Sequence, residues 1–174
     1  TNNFDKLNAT EKKQLIEIIR GHKLKDFFID KMAEGIAKIA AAFYPRPVIL
    51  RLSDFKTNEY RTLIGGKYFE PVEDNPMIGW RGSSRYYDKR FENAFRMECV
   101  AIKRVLEKFG LTNLQIMVPM VRTTTEGKNV MRMLKKNGIV KGKNGLKIYA
   151  MCEVPSNILS INAFLGSIAA VIPA

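Results

Sequence analysis

The stretch LQIMVPMV at residues 114–121 is a short apolar run, and it predicts a buried β-strand. Two other segments have the same character, VILRL at residues 48–52 and LKIYAMCEV at residues 146–154. A fourth short strand is predicted for MIGWR at residues 77–81. Helical patterns separate these strands, and such alternation is typical of an α/β fold with a parallel sheet.

The helices are predicted from apolar spacing and from the residues that end them. Two precede the first strand: one capped by Thr10 and running to about Arg20, and one over residues 24–43 that Pro45 terminates. Later helices are expected at 88–109, at 125–137, and from a Ser156 cap into Phe164. Residues 54–77 contain two glycines and two prolines and predict a long loop, a feature that is usually functional.

The composition indicates one folded domain. The chain has 174 residues, of which 46% are hydrophobic and 26% charged. No apolar run is long enough for a membrane span, and the polar start lacks the apolar stretch of a secretory signal. Two cysteines, Cys99 and Cys152, do not suggest a disulfide framework, so we expect a cytoplasmic protein.

The formal net charge of +12 has three readings: nucleic-acid binding, an anionic small substrate, or solubility. Lysine and arginine are spread along the chain, and no dense basic block is interleaved with aromatic residues. This spread favours solvated helix faces over a nucleic-acid groove.

Candidate site residues follow from the rule that ligands of parallel α/β folds sit at the carboxyl ends of the strands. Arg51, Arg81 and Glu153 lie at or near predicted strand ends, and Arg122 follows the 114–121 strand. Converging guanidinium groups bind phosphate or carboxylate through paired hydrogen bonds. A carboxylate beside them suggests Mg²⁺, although ordinary ion pairs at the sheet rim remain the alternative.

Five motifs in order carry a family resemblance: RLSDFKTNEY from Arg51, IGGKYFEP from Ile64, NPMIGWRGSSRY from Asn75, LTNLQIMVPMVRT from Leu111 and GLKIYAMCEVPSN from Gly145. They resemble the phosphoenolpyruvate synthase family, in the barrel that binds phosphoenolpyruvate (PEP) and pyruvate, and the likeness covers most of the chain. The resemblance implies a partial (β/α)₈ TIM-type barrel preceded by two helices. It divides the single domain 1–174 into lead-in helices at 1–47, barrel elements at 48–165 and an unmatched tail at 166–174.

The resemblance also implies roles. Arg51 and Arg81 match arginines that bind phosphoryl or carboxylate oxygens, Glu153 matches a Mg²⁺ ligand, and Arg122 lies in a family motif as a further substrate-binding candidate. The parent enzymes convert ATP, pyruvate and water to AMP, PEP and phosphate, using a phosphohistidine domain and an ATP-binding domain as partners. Arg85 is expected to orient the loop.

Parts of the family pattern are absent from these residues: a first strand with another arginine, a second metal ligand and a proton-donating cysteine. About four of eight strands are therefore expected, no catalytic residue is assigned, and we expect the isolated chain to be inactive. The alternative is a half-barrel that acts through assembly, because open sheet edges favour homo-oligomers. A basic nucleic-acid binder is the weaker alternative.

Three kinds of residue are interpreted as structural. Cys152 adjoins Glu153 but points to the opposite face of the strand, and it lies outside the family's cysteine motif. His22, the single histidine, lies between helices and lacks the phosphohistidine motif. Met117, Met120 and Met151 are expected to fill the core.

Overall fold

A four-stranded parallel sheet organises the molecule, which a computed structural model describes for residues 4–168 and 170–173. The strands are β1 (Val48–Arg51), β2 (Leu114–Val118), β3 (Ile148–Cys152) and β4 (Ala170–Pro173), hydrogen-bonded in that sequential order. The register aligns Leu50 with Ile116, and Ile116 with Ile148. The α/β class with a parallel sheet is therefore confirmed.

The described helices are, in chain order, α1 (Ala9–Ile19), α2 (Leu24–Phe43), α3 (Thr57–Thr62), α4 (Ser83–Tyr86), α5 (Glu92–Lys103), α6 (Thr124–Lys136), α7 (Pro155–Leu159) and α8 (Ile161–Ser167). A π-helical segment at Arg104–Lys108 continues from α5. Short 3₁₀ turns lie at Phe4–Lys6, Gly66–Tyr68 and Lys143–Gly145. The helix predicted for 24–43 is confirmed at both ends.

The two faces of the sheet differ, because side chains alternate along a strand. On one face Leu114, Ile116 and Ile148 are completely buried, in a core that also contains side chains of α2, α5 and α6. On the other face Ile49 remains 45% exposed and Tyr149 is only partly buried. Helices thus cover one face, and the other is left open among the described residues.

The strand predicted for residues 77–81 is wrong. This segment consists of turns, and the N–H of Trp80 donates to the Glu73 carboxylate at 3.0 Å instead of to a neighbouring strand. The segment 166–174, interpreted as a tail, instead contributes β4 beside β3. The number of strands agrees with expectation and three of the four lie where they were predicted, but β4 takes the place of the strand expected at 77–81.

Several element boundaries also needed correction. Asn8, and not Thr10, caps α1: its side chain accepts from the Glu11 N–H while the Glu11 carboxylate accepts from the Asn8 N–H. Val154 precedes α7, so Ser156 lies inside that helix.

Two longer predicted segments are divided differently in the structure. The expected 54–77 loop contains α3 and a 3₁₀ turn. The helix expected at 88–109 begins only at Glu92.

Candidate anion- and metal-binding site

The candidate residues gather at the carboxyl edge of the sheet. Arg51 is the last residue of β1, and Glu153 directly follows β3, as the sequence predicts. Arg122 lies beyond the end of β2, which stops at Val118. Arg81 reaches the same edge from the turn before α4. The prediction that Arg81 lies at the end of a strand is therefore wrong.

Asp54 joins two of the arginines, although sequence reasoning did not select it. Arg81 donates from Nε to Oδ1 at 3.0 Å and from Nη2 to Oδ2 at 2.6 Å. Arg51 donates from Nη1 to Oδ2 at 3.2 Å. The Asp54 side chain is fully buried, while those of Arg81 and Arg51 are 14% and 51% exposed. One carboxylate therefore holds two guanidinium groups that lie 30 positions apart in the chain (81 − 51).

Arg81 has a raised pKa. Its hydrogen bonds with Asp54 are the largest cause, and the charges of Asp54, Glu153 and Glu59 act in the same direction against desolvation. The effect of Glu153 on this pKa indicates that its carboxylate lies within electrostatic range of Arg81.

Glu153 is held through one of its two oxygens. Its Oε2 accepts from the N–H of Met120 at 2.7 Å, and its own N–H donates to the Asn157 side chain. Over the part of the chain that the structure describes, Oε1 makes no hydrogen bond and no ion pair. One carboxylate oxygen is thus available for a cation.

Arg122 is engaged mainly with backbone oxygens. Its Nη2 donates to the Gly79 carbonyl at 2.8 Å and its Nη1 to the Met120 carbonyl at 3.3 Å. Its own N–H donates to Glu126 at 2.7 Å. These contacts tie the 77–82 turn to the segment after β2.

Gly82 permits the close approach of these two segments. Its φ is +56°, and a Cβ there would lie 2.7 Å from the Met120 Cβ and 2.8 Å from the Pro119 carbonyl oxygen. Met120 itself has a φ of +53° and is buried, but it lies beyond β2 and not on a strand. The core role expected for Met120 is consistent with its burial.

A buried carboxylate supports the chain just before Asp54. Glu98 on α5 accepts from the N–H and the hydroxyl of Ser53 at 2.9 and 3.1 Å. Tyr86 also donates to the Ser53 carbonyl at 2.7 Å. Burial raises the pKa of Glu98 to about 7, although the two bonds from Ser53 oppose the shift.

Arg85 is fully buried, in agreement with its predicted role in orienting the loop. Both terminal nitrogens contact Glu70, and Nε donates to the Trp80 carbonyl at 2.9 Å. The rings of Trp80 and Tyr60 lie 4.0 and 4.4 Å from its guanidinium carbon. This side chain therefore braces the turn that carries Arg81.

The residues interpreted as structural agree with that interpretation only in part. Cys99 and Cys152 are both free, and Cys152 sits on β3 one position before the glutamate. His22 is exposed, with its ring centroid 6.1 Å from that of Phe27. Met117 and Met151 on β2 and β3 are only partly buried and lie outside the hydrophobic core, so the expectation that they fill the core is wrong.

The side chains at this edge fit a Mg²⁺ ion that has few protein ligands. Within residues 4–168 and 170–173, no group of three or more His, Cys, Asp or Glu side chains could hold a metal ion. Mg²⁺ is commonly bound by one or two carboxylates together with substrate oxygens and water. The free oxygen of Glu153, within electrostatic range of Arg81, matches that pattern.

Asp54 and Glu98 are the residues that sequence reasoning missed. Asp54 follows Arg51 by three positions within RLSD, so an acidic residue a few positions after a strand-ending arginine was the available signal. Glu98 had no such signal, because it lies on a helix at a position whose burial depends on packing.

No helix in the described ranges is both long and apolar enough to cross a membrane.

The parallel sheet, with arginines and a carboxylate at its carboxyl edge, defines an α/β protein with a candidate site for an anionic ligand. A family model described as "PEP-utilising enzyme, PEP-binding domain" matches residues 7–171, and the chain belongs to that family.

The chain is also similar to proteins named phosphoenolpyruvate synthase. It is 52% identical to the one from Synechocystis over 160 residues, which cover 92% of this chain and 19% of the relative. The Helicobacter pylori protein is 50% identical, with coverages of 92% and 20%, and the Escherichia coli protein is 47% identical, with coverages of 93% and 21%. The chain thus spans about a fifth of the length of the relatives it matches.

Proposed function

We propose that this chain forms part of the PEP- and pyruvate-binding barrel of a phosphoenolpyruvate synthase. In the parent reaction, ATP, pyruvate and water yield AMP, PEP and phosphate, and the barrel hosts phosphoryl transfer from a phosphohistidine to the pyruvate enolate. The observation that carries this proposal is the convergence of Arg51 and Arg81 on Asp54, next to Glu153. ATP-binding and phosphohistidine domains are the partners that this reaction requires.

Arg51 is the principal contact to the anionic ligand in this proposal. A guanidinium has five N–H donors, and the structure gives Arg51 one ion pair on a half-exposed side chain. Arg81 contributes the donors that Asp54 and the Met77 carbonyl leave free. Arg122 adds positive charge at the same edge and holds the 77–82 turn in place.

Glu153 would hold Mg²⁺ through its free oxygen, while its second oxygen stays bonded to Met120. When bound, the ion supplies stabilisation of the negative charge that develops on an enolate oxygen. The arginines bind and orient the phosphoryl group and neutralise its charge during transfer.

The barrel architecture is supported by strand order. In the described sheet all four strands are parallel and follow one another sequentially, as consecutive strands of a (β/α)₈ barrel do. The open face that contains Ile49 and Tyr149 corresponds to a barrel interior, where the remaining strands would complete the enclosure.

Ligand titration tests the proposal. Isothermal titration calorimetry with PEP should show binding that Mg²⁺ strengthens, and Arg51→Ala should weaken it about tenfold or more. Glu153→Gln should remove the Mg²⁺ effect. Arg132→Ala, which removes an exposed arginine on α6, is the matched control and should leave binding unchanged. Absence of PEP binding at millimolar concentrations in the presence of Mg²⁺ would reject the proposal.

The isolated chain should not convert pyruvate to PEP, because the phosphohistidine donor and the ATP site belong to other parts of the parent enzyme. Incubation with ATP, pyruvate and Mg²⁺ should yield no PEP. Formation of PEP by this chain alone would show that assigning no catalytic residue here was wrong. The setting we propose is the cytoplasm, with no nucleic-acid partner.

A second candidate function is assembly through the open sheet face. Ile49 is 45% exposed on β1, which is an outer strand of the described sheet. Exposed apolar surface and unpaired strand edges favour association. Analytical ultracentrifugation should show a concentration-dependent oligomer that Ile49→Glu weakens, and a monomer at all concentrations would exclude this alternative.

A further inference from the structure

We propose that Asp54 is a positioning residue that fixes Arg81 and leaves Arg51 free to turn toward the anionic ligand. The inference rests on the proposed function, since it assigns unequal tasks to the two arginines of that site. It concerns a buried carboxylate that is placed between them and is not itself a ligand contact.

The two arginines are held unequally. Arg81 meets both Asp54 oxygens, at 3.0 and 2.6 Å, and its Nη1 donates to the Met77 carbonyl at 3.2 Å. Arg51 meets one oxygen at 3.2 Å, and that oxygen is the one already bonded to Arg81 Nη2. The 14% exposed side chain of Arg81 thus makes three hydrogen bonds to oxygen atoms, whereas the 51% exposed side chain of Arg51 makes one.

The carboxylate is necessary because two guanidinium groups at one edge repel each other. Without a negative charge between them, the exposed side chain of Arg51 would move away into solvent and lose its orientation. A bidentate partner fixes the plane of Arg81, whereas a single bond to Arg51 lets an incoming phosphoryl or carboxylate oxygen replace Asp54.

Asp54 is itself held in place by its surroundings. Its side chain is completely buried, and a Cβ on Gly82 would approach its Oδ1 to 3.1 Å. The preceding residue, Ser53, is bonded to Glu98 through its N–H and its hydroxyl. A carboxylate fixed in this way is suited to setting the position of flexible partners.

Arginine side-chain NMR of the unmodified chain tests the asymmetry without any ligand. The Nε–H of Arg81 should exchange slowly with water, and rotation of the Arg51 guanidinium should be fast. Added PEP should slow the Arg51 rotation and leave Arg81 unchanged. Equal mobility of the two guanidinium groups would overturn the proposal.

Substitution of Asp54 separates its charge from its positioning role, because the two change the affinity for PEP in opposite directions. Asp54→Asn removes a negative charge, so electrostatics alone would strengthen PEP binding, whereas loss of positioning should weaken it by about tenfold. Asp54→Glu keeps the charge but moves it, and should also weaken binding. The control Glu59→Gln removes a nearby, more exposed charge and should leave binding unchanged or tighter.

Each outcome decides a separate point. Unchanged or tighter PEP binding by Asp54→Asn would overturn the positioning role. If that variant does not fold, the NMR comparison in the unmodified chain still decides. If the unmodified chain binds no PEP, the proposed function fails, while slow Arg81 exchange and its acceleration in Asp54→Asn would still establish what Asp54 holds.

Discussion

Arg85 and Glu70 form a two-point ion pair in the protein interior, with Nη1–Oε1 at 2.9 Å and Nη2–Oε2 at 2.6 Å. The side chain of Arg85 is fully buried and that of Glu70 is 8% exposed. The pair joins the segment after the Gly66–Tyr68 turn to α4, directly behind the turn that presents Arg81. The geometry of the candidate site therefore depends on a contact that touches no ligand.

Breaking this buried pair from one side should destabilise the fold strongly. Glu70→Gln leaves the Arg85 charge without its partner, and we expect a loss of about 3–5 kcal/mol in the free energy of unfolding. Glu34→Gln is the control, because its ion pairs with Lys31 and Lys38 are exposed and should contribute little to the free energy of unfolding. Urea denaturation measures both, and similar losses would contradict this account.

Stability should depend on pH through Glu98. Burial raises the pKa of Glu98 from its ordinary value of 4.5 to about 7 in the folded state, so the folded protein retains a proton that the unfolded chain releases. This contribution is complete below pH 4.5 and is lost as the pH rises through about 7. The difference between the folded and unfolded pKa values corresponds to about 3 kcal/mol in the free energy of unfolding, at 1.36 kcal/mol per pKa unit.

Glu98→Gln tests this dependence because the amide does not titrate. The free energy of unfolding, measured by denaturation from pH 4.5 to 8, should lose the component that falls with rising pH. Glu17→Gln, at an exposed glutamate of α1, should follow the unmodified protein. A Glu98→Gln curve parallel to that of the unmodified protein would show that Glu98 does not titrate in this range.

Gly82 should not tolerate a side chain. Its φ of +56° is unfavourable for L-residues, and the added Cβ would lie 2.7 Å from that of Met120, so Gly82→Ala should cost about 2–3 kcal/mol. Gly35→Ala, in the interior of α2 with no atom within 4 Å of the new Cβ, should stabilise by about 0.5–1 kcal/mol. Thermal denaturation compares them, and equal effects would contradict the close approach at Gly82.

The capping box of α1 can be distinguished from the cap that the sequence suggested. Asn8→Ala removes the acceptor of the Glu11 N–H and should destabilise α1 by about 1 kcal/mol. Thr10→Ala lies within the helix and should have little effect. Amide hydrogen exchange across α1 is the suitable measurement, because the helix has no buried residues and frays locally. Faster exchange in Thr10→Ala than in Asn8→Ala would restore the original interpretation.

Local sequence patterns were sufficient for the elements that bury a continuous apolar run or stripe. β1, β2 and β3 lie inside the predicted runs, and α2 and α6 agree closely with the apolar spacing. The placement of Arg51 and Glu153 at strand ends follows from the same runs, because the last residue of a buried strand emerges at the edge of the sheet. The ordered motifs likewise identified the family.

Tertiary structure alone decided that residues 77–81 form no strand and that Asp54 is the shared partner of the two arginines. A short apolar run becomes a strand only if a neighbouring strand accepts its hydrogen bonds, and here the Glu73 carboxylate accepts the N–H of Trp80. Arg81 consequently reaches the site from a turn. Asp54, which precedes Arg81 by 27 positions, joins it to Arg51. Local patterning cannot specify such contacts, because they depend on which distant groups the folded chain brings within hydrogen-bonding distance.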